Sequence, residues 1–394
     1  MKKGDFLHLF MKYFPQYSHR MRSTLHSYSD SYQNPYHLED DCWSHTMLVY
    51  QALDTTGLNE VDTLSLLTAG LCHDAGKPFV RSSHKPGKIN MWNHSEAGTQ
   101  FAAEVCHKLF NNSSYSSKIA EDILHKVTFL VSHHIDAHQT NSKDASVLFN
   151  YRNDLFLLMK RLLLADNAGQ FTIDLSTVDI THPKSEIVIN QTDDYLKWSL
   201  TPDDMDYKRC FPDHKRFEVR LFAGVPGSGK DTLAGKAGYE ILSYDKIRVT
   251  EFLKVNKGYV GTVKDTYNLA WNFCKKLDML KLLDKQLNDL KTDGVFLKLA
   301  ICNTFCTSKS RRAMVNMINK VFNDDVSIGI TYILIPSQNS IDNDLNRSDK
   351  TVGKDVITSF QMNQKIPTMD EGFDNIRVVF NDFEQNISEG GTYV

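Results

Sequence analysis

Gly224, Gly227, Ser228, Gly229, Lys230, Asp231 and Thr232 stand together in the run RLFAGVPGSGKDT, directly behind the apolar stretch from Phe217 to Ala223. A strand, a glycine-rich turn and a helix start, with the first glycine, the last glycine and the lysine at fixed spacing, make the pattern that cradles phosphates. Glycines let the backbone curl with its N–H groups inward, and the helix start adds partial positive charge. Lys230 would reach the outer phosphates of ATP or another nucleoside triphosphate. Asp231 stands where a hydroxyl usually follows the lysine, and Thr232 comes one place later. Mg²⁺ would therefore be held through water by Asp231, by Thr232, or by both.

A second set of residues carries different chemistry. His45 follows Asp41 by one turn on the same helical face, His73 and Asp74 are adjacent, His94 opens a helical stretch, His133 and His134 close another, and Asp166 falls late in a third. Singly, each of these histidines reads as surface or core filler. Jointly, imidazoles and carboxylates at the ends of apolar helical segments suit a hard or borderline divalent ion, and Mn, Fe, Co or Ni would be accepted. Lys77 follows Asp74 closely, and Arg81, Lys85 and Lys88 come next, either as a grip for a polyanion or as a solvated loop.

The elements that must position these groups differ between the two halves. Apolar residues recur at helical spacing from Asp41, then over about 61–74, 95–110, 117–133 and 146–167, with no competing alternation, so the first half reads as all-helical. From about 171 to 217 Pro183, Pro202 and Pro212 interrupt the pattern, leaving one further helix near 185–198. We place the boundary near residue 205, giving domains 1–204 and 205–394. Lys208, Arg209, Lys215 and Arg216 form a basic cluster there, a charged linker or a nucleic-acid contact. Beyond it, apolar runs at 218–223, 239–243, 295–301, 326–335 and 376–380 alternate with helical segments, including a long one over 265–290. Strands alternating with helices imply an α/β domain with a parallel sheet that binds at the carboxyl ends of its strands.

Composition sets the frame. A chain of 394 residues is long for one domain, and 41% hydrophobic with 24% charged residues is an ordinary globular balance. A net charge of −3 argues against a generic DNA-coating protein. The sequence holds no long apolar run or secretion signal, and its seven cysteines are scattered and odd in number. Reduced thiols, a cytoplasmic location and no membrane partner are the expectation.

Two resemblances add to this reading. The pieces YHLEDDCWSHT, HDAGKP, NHSEAG, VSHHI and LLLADNAG, over Tyr36 to Gly169, resemble the HD-domain metal-dependent phosphohydrolases. The resemblance implies His45, His73, Asp74 and Asp166 as ligands of a first metal. It places His94, His133 and His134 where members with a second metal add ligands, and Lys77 where some hold a phosphate oxygen. The pieces GVPGSGKDT, SYDKIR, CNTFCTSKSRR, NRSDKTVGKDVI and KIPTMDEGFDNI resemble the 5'-hydroxyl polynucleotide kinase branch of the phosphate-loop kinases. That likeness implies Asp245 as general base, Arg248 as clamp for the acceptor phosphate and Arg347 as an arginine of a basic lid with Lys350 and Lys354. Cys302 stands where relatives often carry Asp, and Phe305 replaces a second Asn.

A phosphohydrolase joined to a polynucleotide kinase resembles the two-domain end-healing enzymes of RNA repair. One half would transfer the γ-phosphate of ATP to a 5'-hydroxyl end of RNA or DNA, and the other would hydrolyse a 3' or 2',3'-cyclic phosphate. Sealing would fall to a separate ligase, because no nucleotidyl-transfer lysine motif is evident. The alternatives are a nucleoside or nucleotide kinase fused to a nucleotidase, and a sensor in which ATP binding controls the helical half.

Overall fold

The protein is described from a computed structural model, which covers residues 1–26, 37–39, 41–85, 88–111, 115–139, 149, 152–174, 179–181, 217–275, 277–292, 298–348 and 350–381. The chain divides into two compact units, Met1–Tyr207 and Lys208–Val394. The expected boundary, the helix near 185–198 and the basic cluster from Lys208 to Arg216 lie outside the described residues.

The first unit is built on α1 (Lys3–Tyr13), α2 (Tyr17–Arg22), α3 (Cys42–Ala52), α4 (Glu60–Cys72), the single turn α5 (Lys77–Val80), α6 (His94–Cys106), α7 (Ser117–Gln139) and α8 (Asn153–Ala168). Local chemistry starts the site helices. Asp41 caps α3 by accepting from the Ser44 amide at 2.8 Å, and Asn59 caps α4 through the Asp62 amide at 2.8 Å. Asp41 is therefore spent on the cap and does not share a working face with His45. Helix α7 packs against α4, α6 and α8, burying Ile123, Val127, Leu130 and Val131.

Two expectations for this unit are corrected. It is not all-helical: β1 (Ser82–Lys85) pairs with β2 (Lys88–Asn90), and β3 (Thr172–Asp174) pairs with β4 (Asp179–Thr181), each antiparallel. The second hairpin sets the β-branched pairs Thr172–Thr181 and Ile173–Ile180 opposite each other, which suits a pleated ribbon. Helix α7 also runs past His133 and His134 to Gln139, so these residues lie inside the helix.

The second unit holds β5 (Phe217–Gly224), α9 (Lys230–Lys236), β6 (Glu240–Ser243), α10 (Tyr244–Val255), α11 (Val263–Cys274), α12 (Met279–Thr292), β7 (Lys298–Asn303), α13 (Ser308–Phe322), β8 (Val326–Leu334), α14 (Ser337–Leu345), α15 (Lys354–Gln361) and β9 (Asn375–Phe380). The strands form one parallel sheet in the order β6-β7-β5-β8-β9. Covered on both faces, they read as continuous apolar runs, Leu299 to Ile301 and Ile330 to Leu334 for example. Chain order reverses beside β5, which opens a crevice at its carboxyl end, where the glycine loop sits. The long helix expected over 265–290 is two helices. The Asp278 carboxylate accepts from the Leu280 and Lys281 amides at 3.1 and 3.2 Å and so starts α12 afresh.

Arg311 of α13 is 0% exposed and ties down the loop behind β7. It donates to both oxygens of the buried Glu371 at 2.6 and 2.8 Å, and to the carbonyls of Phe305, Cys306 and Lys365 at 3.0, 3.2 and 3.0 Å. Arg311→Ala would leave Glu371 charged and buried. We expect it to lower the unfolding free energy of this unit by about 3–5 kcal/mol in a denaturant titration. A loss under about 1 kcal/mol, the range of exposed pairs, would contradict this account.

Candidate functional site

Four imidazoles meet in the helical unit. His45 comes from α3, His73 from the end of α4, His94 from the start of α6 and His134 from within α7, and all but His94 are fully buried. Each directs Nδ1 at a main-chain carbonyl: His45 at Gly169 (3.3 Å), His73 at Gly70 (3.0 Å), His94 at Met91 (2.8 Å) and His134 at Val131 (2.8 Å). A carbonyl only accepts, so each neutral ring keeps its proton on Nδ1 and presents a bare Nε2. These Nε2 atoms face one another, 3.3 Å apart for His45 and His73 and 3.2 Å for His94 and His134. Two lone pairs with no proton between them repel, and a cation between them turns the contact favourable.

The carboxylates complete two cages. Asp166 Oδ1 is 3.0 Å from His45 Nε2 and 3.7 Å from His73 Nε2, while Asp74 Oδ2 is 3.6 and 3.5 Å from the same atoms. The other Asp74 oxygen is 3.3 Å from His94 Nε2, so Asp74 spans both cages. This donor set fits two divalent ions. Glycines permit the approach. A Cβ on Gly76 would overlap the His94 carbonyl, and one on Gly169 would meet the Val49 amide at 2.9 Å. The first lets the turn after α4 reach α6, and the second lets the end of α8 reach α3.

Electrostatics follow from this crowding. Burial would raise the Asp74 carboxyl, but Lys77, His73 and His94 outweigh it and hold it well below the usual carboxylate range. Burial pulls His45 down, yet hydrogen bonds to Asp166 and Glu39 outweigh that and lift it to about 10, so a cation at its Nε2, a proton or in its place a metal ion, is favoured. Burial, with His94 and His73 close by, pushes His134 down to about 3. Lys77 is buried and lies 2.6 Å from Asp74 Oδ2. Burial disfavours its charge, but Asp74 keeps it protonated beyond the usual lysine range.

His133 stands apart from the cages, contrary to expectation. Adjacent helical residues point roughly 100° apart, so only one of the pair faces the cage. The His133 ring lies 2.9 Å from Asp136 and packs on Phe129, with centroids 4.8 Å apart. Three residues not anticipated also lie here. His37 and His45 both approach Glu39 Oε1, at 2.6 and 3.1 Å, and His26 Nε2 lies 3.2 Å from Cys42 Sγ and 3.5 Å from Lys77 Nζ. They come from stretches without periodicity, so sequence offers no signal beyond the residue types themselves. Of the expected basic grip, Arg81 donates to the Leu25 carbonyl at 3.0 Å, and the side chains of Lys85 and Lys88 lie outside the described residues.

In the second unit the glycine loop is held from outside. Ser340 donates to the Pro226 carbonyl at 2.6 Å, Asn343 to Gly227 at 3.0 Å and Asn381 to Ser228 at 2.9 Å. These bonds pin the loop by its carbonyls, and inside it the Ser228 amide donates to the Val225 carbonyl at 3.2 Å. Gly227 has φ 78°, which favours glycine, and a Cβ there would also strike the Ser340 carbonyl. Lys230 folds back onto the Gly224 and Val225 carbonyls at 2.9 and 2.8 Å. Asp231 and Thr232 are exposed beside it, and the Cys302 thiol is pushed up by burial and by the adjacent Asp231 carboxylate.

Asp245 is free of helix capping, because Ser243 caps α10 through the Lys246 amide at 3.2 Å. Its carboxylate accepts from Arg248 at 2.8 Å, from the Tyr267 hydroxyl at 3.2 Å and from Lys350. Arg248 lies flat over Trp271, 4.1 Å from the ring centroid. Of the residues expected to form a basic lid, Arg347 lies close enough to Lys230, and Lys350 to Lys230, for like charges to repel. Lys354 opens α15 and is exposed.

No family model matches the chain, and no curated protein does. Solved structures with some likeness include a protein of Chloroflexus aurantiacus J-10-fl classed provisionally as a kinase, 15% identical, covering 44% of this chain and 90% of that one at a TM-score of 0.31. A gluconokinase from Sinorhizobium meliloti 1021 is 12% identical, with 41% and 82% covered and a TM-score of 0.25. The PezAT toxin–antitoxin system of Streptococcus pneumoniae gives 15%, 51% and 84%, with a TM-score of 0.27.

Two predictions follow from the geometry. Metal counting by mass spectrometry on Mn²⁺-loaded protein should find His134→Ala short of one ion relative to wild type, and His133→Ala unchanged. The reverse result would mean that the helical phase is misassigned. At the glycine loop, burial and Arg347 lower Lys230 to about 8. A polyphosphate favours its ammonium form and so raises that value. ATP binding should therefore take up protons at pH 8, and affinity should fall as pH rises through 8. Calorimetry in buffers of different ionisation enthalpy measures the uptake, and none at pH 8 would contradict the assignment.

Proposed function

We propose that this chain is a bifunctional end-healing enzyme for broken nucleic-acid strands. The second unit would phosphorylate 5'-hydroxyl ends and the first would remove phosphate from 3' or 2',3'-cyclic ends. The observation that carries the reading is the pairing, on one chain, of a carboxylate beside a phosphate cradle with a cage of bare imidazole nitrogens.

In the kinase half, Lys230, Arg347 and Lys350 would bind the triphosphate of ATP or another NTP, with Asp231 or Thr232 placed to hold Mg²⁺ through water. When the nucleotide arrives, Lys350 has a stronger partner than Asp245, and its departure exposes the carboxylate. Asp245 then accepts the proton of the 5'-hydroxyl as that oxygen bonds to the γ-phosphorus, the bond to the bridging oxygen breaks, and the nucleoside diphosphate leaves. Arg248, which donates to Asp245, would meet an acceptor phosphate.

In the helical half, His45, His73, Asp74 and Asp166 would hold one divalent ion, and Asp74, His94 and His134 a second. Bound there, such ions supply a hydroxide near neutral pH and neutralise phosphate charge. Lys77 is kept protonated at the cavity wall, where it can donate to a phosphate oxygen. The backbone carbonyls behind the four rings fix their tautomers and directions. RNA or DNA ends are the proposed substrates, and a separate ligase would seal the healed strand.

Labelled ATP, Mg²⁺ and a 5'-hydroxyl oligonucleotide test the first activity. Wild type should transfer label, Asp245→Ala and Lys230→Ala should lose at least about 100-fold, and Asp74→Asn should transfer normally while losing phosphate release from a 3'-phosphate end. Transfer to a free nucleoside in preference to the oligonucleotide would move the reading to a small-molecule kinase. Absence of transfer to either would end it.

A further inference from the structure

The cavity that holds the imidazole cage has a volume of about 650 Å³, larger than a phosphate needs. Its lining joins the buried Asp74, Lys77 and His134 to the less buried Ile89, Met91 and Trp92. Trp92 is 81% exposed, and among the described residues its indole meets no other ring and makes no hydrogen bond. Folding therefore gains little from this side chain, although it is the largest apolar group at the opening.

The turn that presents it is rigid. The Trp92 amide donates to Asn90 Oδ1 at 2.9 Å, Asn93 sits in the left-handed region at φ 62°, and the Asn93 carbonyl receives the Ala97 amide at 3.0 Å to start α6. The neighbouring Met91 carbonyl is the one that orients His94, at 2.8 Å. The indole and a residue of the cage are thus set by the same three-residue turn. The backbone thus fixes the Trp92 Cα beside the cage, and the indole can turn about its side-chain bonds to meet a ligand held there.

The chemistry of these two sets of lining residues describes the ligand. Cationic groups and a site for cations want an anion such as phosphate, while a flat aromatic ring at the mouth wants another flat ring. A phosphate and a flat ring one sugar apart make a nucleotide. We propose that Trp92 is the stacking platform for the terminal nucleobase of the strand whose end phosphate enters the cage. This rests on the end-phosphate reading of the helical unit given above. Because every base offers a π-face, the platform grips ends without selecting among bases.

The test compares two RNA oligonucleotides with 3'-phosphate ends, one with a terminal adenine and one whose terminal sugar lacks a base. For the base-bearing end, Trp92→Ala should raise KM roughly 5- to 100-fold with kcat changed less than about twofold, and Trp92→Phe should recover most of the loss. For the abasic end, wild type and Trp92→Ala should converge. Binding gives an independent readout: adenosine 3'-monophosphate should quench indole emission in wild type, and Trp92→Phe should lose that quenching. Equal KM for wild type and Trp92→Ala on the base-bearing end, or the same loss on both ends, overturns the proposal while leaving end hydrolysis standing. No phosphate release by wild type from either end overturns both readings together.

Discussion

Both sites are built by forcing like against like. In the helical unit, bare Nε2 atoms face each other at 3.3 and 3.2 Å, and in the other unit Lys230, Arg347 and Lys350 crowd one loop. Lone pairs in contact ask for a cation. Lys230 meets only main-chain carbonyls and Lys350 the single carboxylate of Asp245, so their charge is left over for a polyanion. A surface that merely happened to collect such residues would let them turn to water. These are held by carbonyls behind the rings and by burial around Lys230, so a ligand relieves the repulsion and the side chains cannot.

The scaffold supports this at points of close backbone approach. Gly76 and Gly169 occupy the contacts where the turn after α4 meets α6 and where α8 meets α3. Each lies within three residues of a cage carboxylate, Asp74 or Asp166. A larger residue at either place would separate ligands that come from different helices. In the sheet unit the equivalent role falls to α14, whose Ser340 and Asn343 hold the glycine loop by its carbonyls.

How much of this was legible from sequence depends on how local each signal is. The glycine loop, the strand and helix alternation and the order of His and Asp are local patterns, and each maps onto the described elements. The choice between His133 and His134 is not local, because α7 is buried nearly all round and its apolar stripe gives no single phase. His26, His37 and Glu39 reach the site only through tertiary contact, from segments without helical or strand period. The break between α11 and α12 turns on one side chain, Asp278, inside a stretch whose periodicity runs on unbroken.

The two departures from the kinase resemblance can be understood as one. The resemblance leads one to expect Asp at the end of the third strand and a hydroxyl after the loop lysine, whereas here Cys302 and Asp231 stand at those places. Asp231 lies against the Cys302 thiol and raises it, so the two positions are neighbours in space. A carboxylate is then present in this corner of the loop in either arrangement, carried by the strand in one and by the helix start in the other. What Mg²⁺ requires is a carboxylate at a place, and the chain position that supplies it is free to change. The same logic separates the substituted Cys302 from Asp245, whose proposed work is to take a proton from a hydroxyl. Charge can be moved to an adjacent position, but a base must stay within reach of the proton it removes.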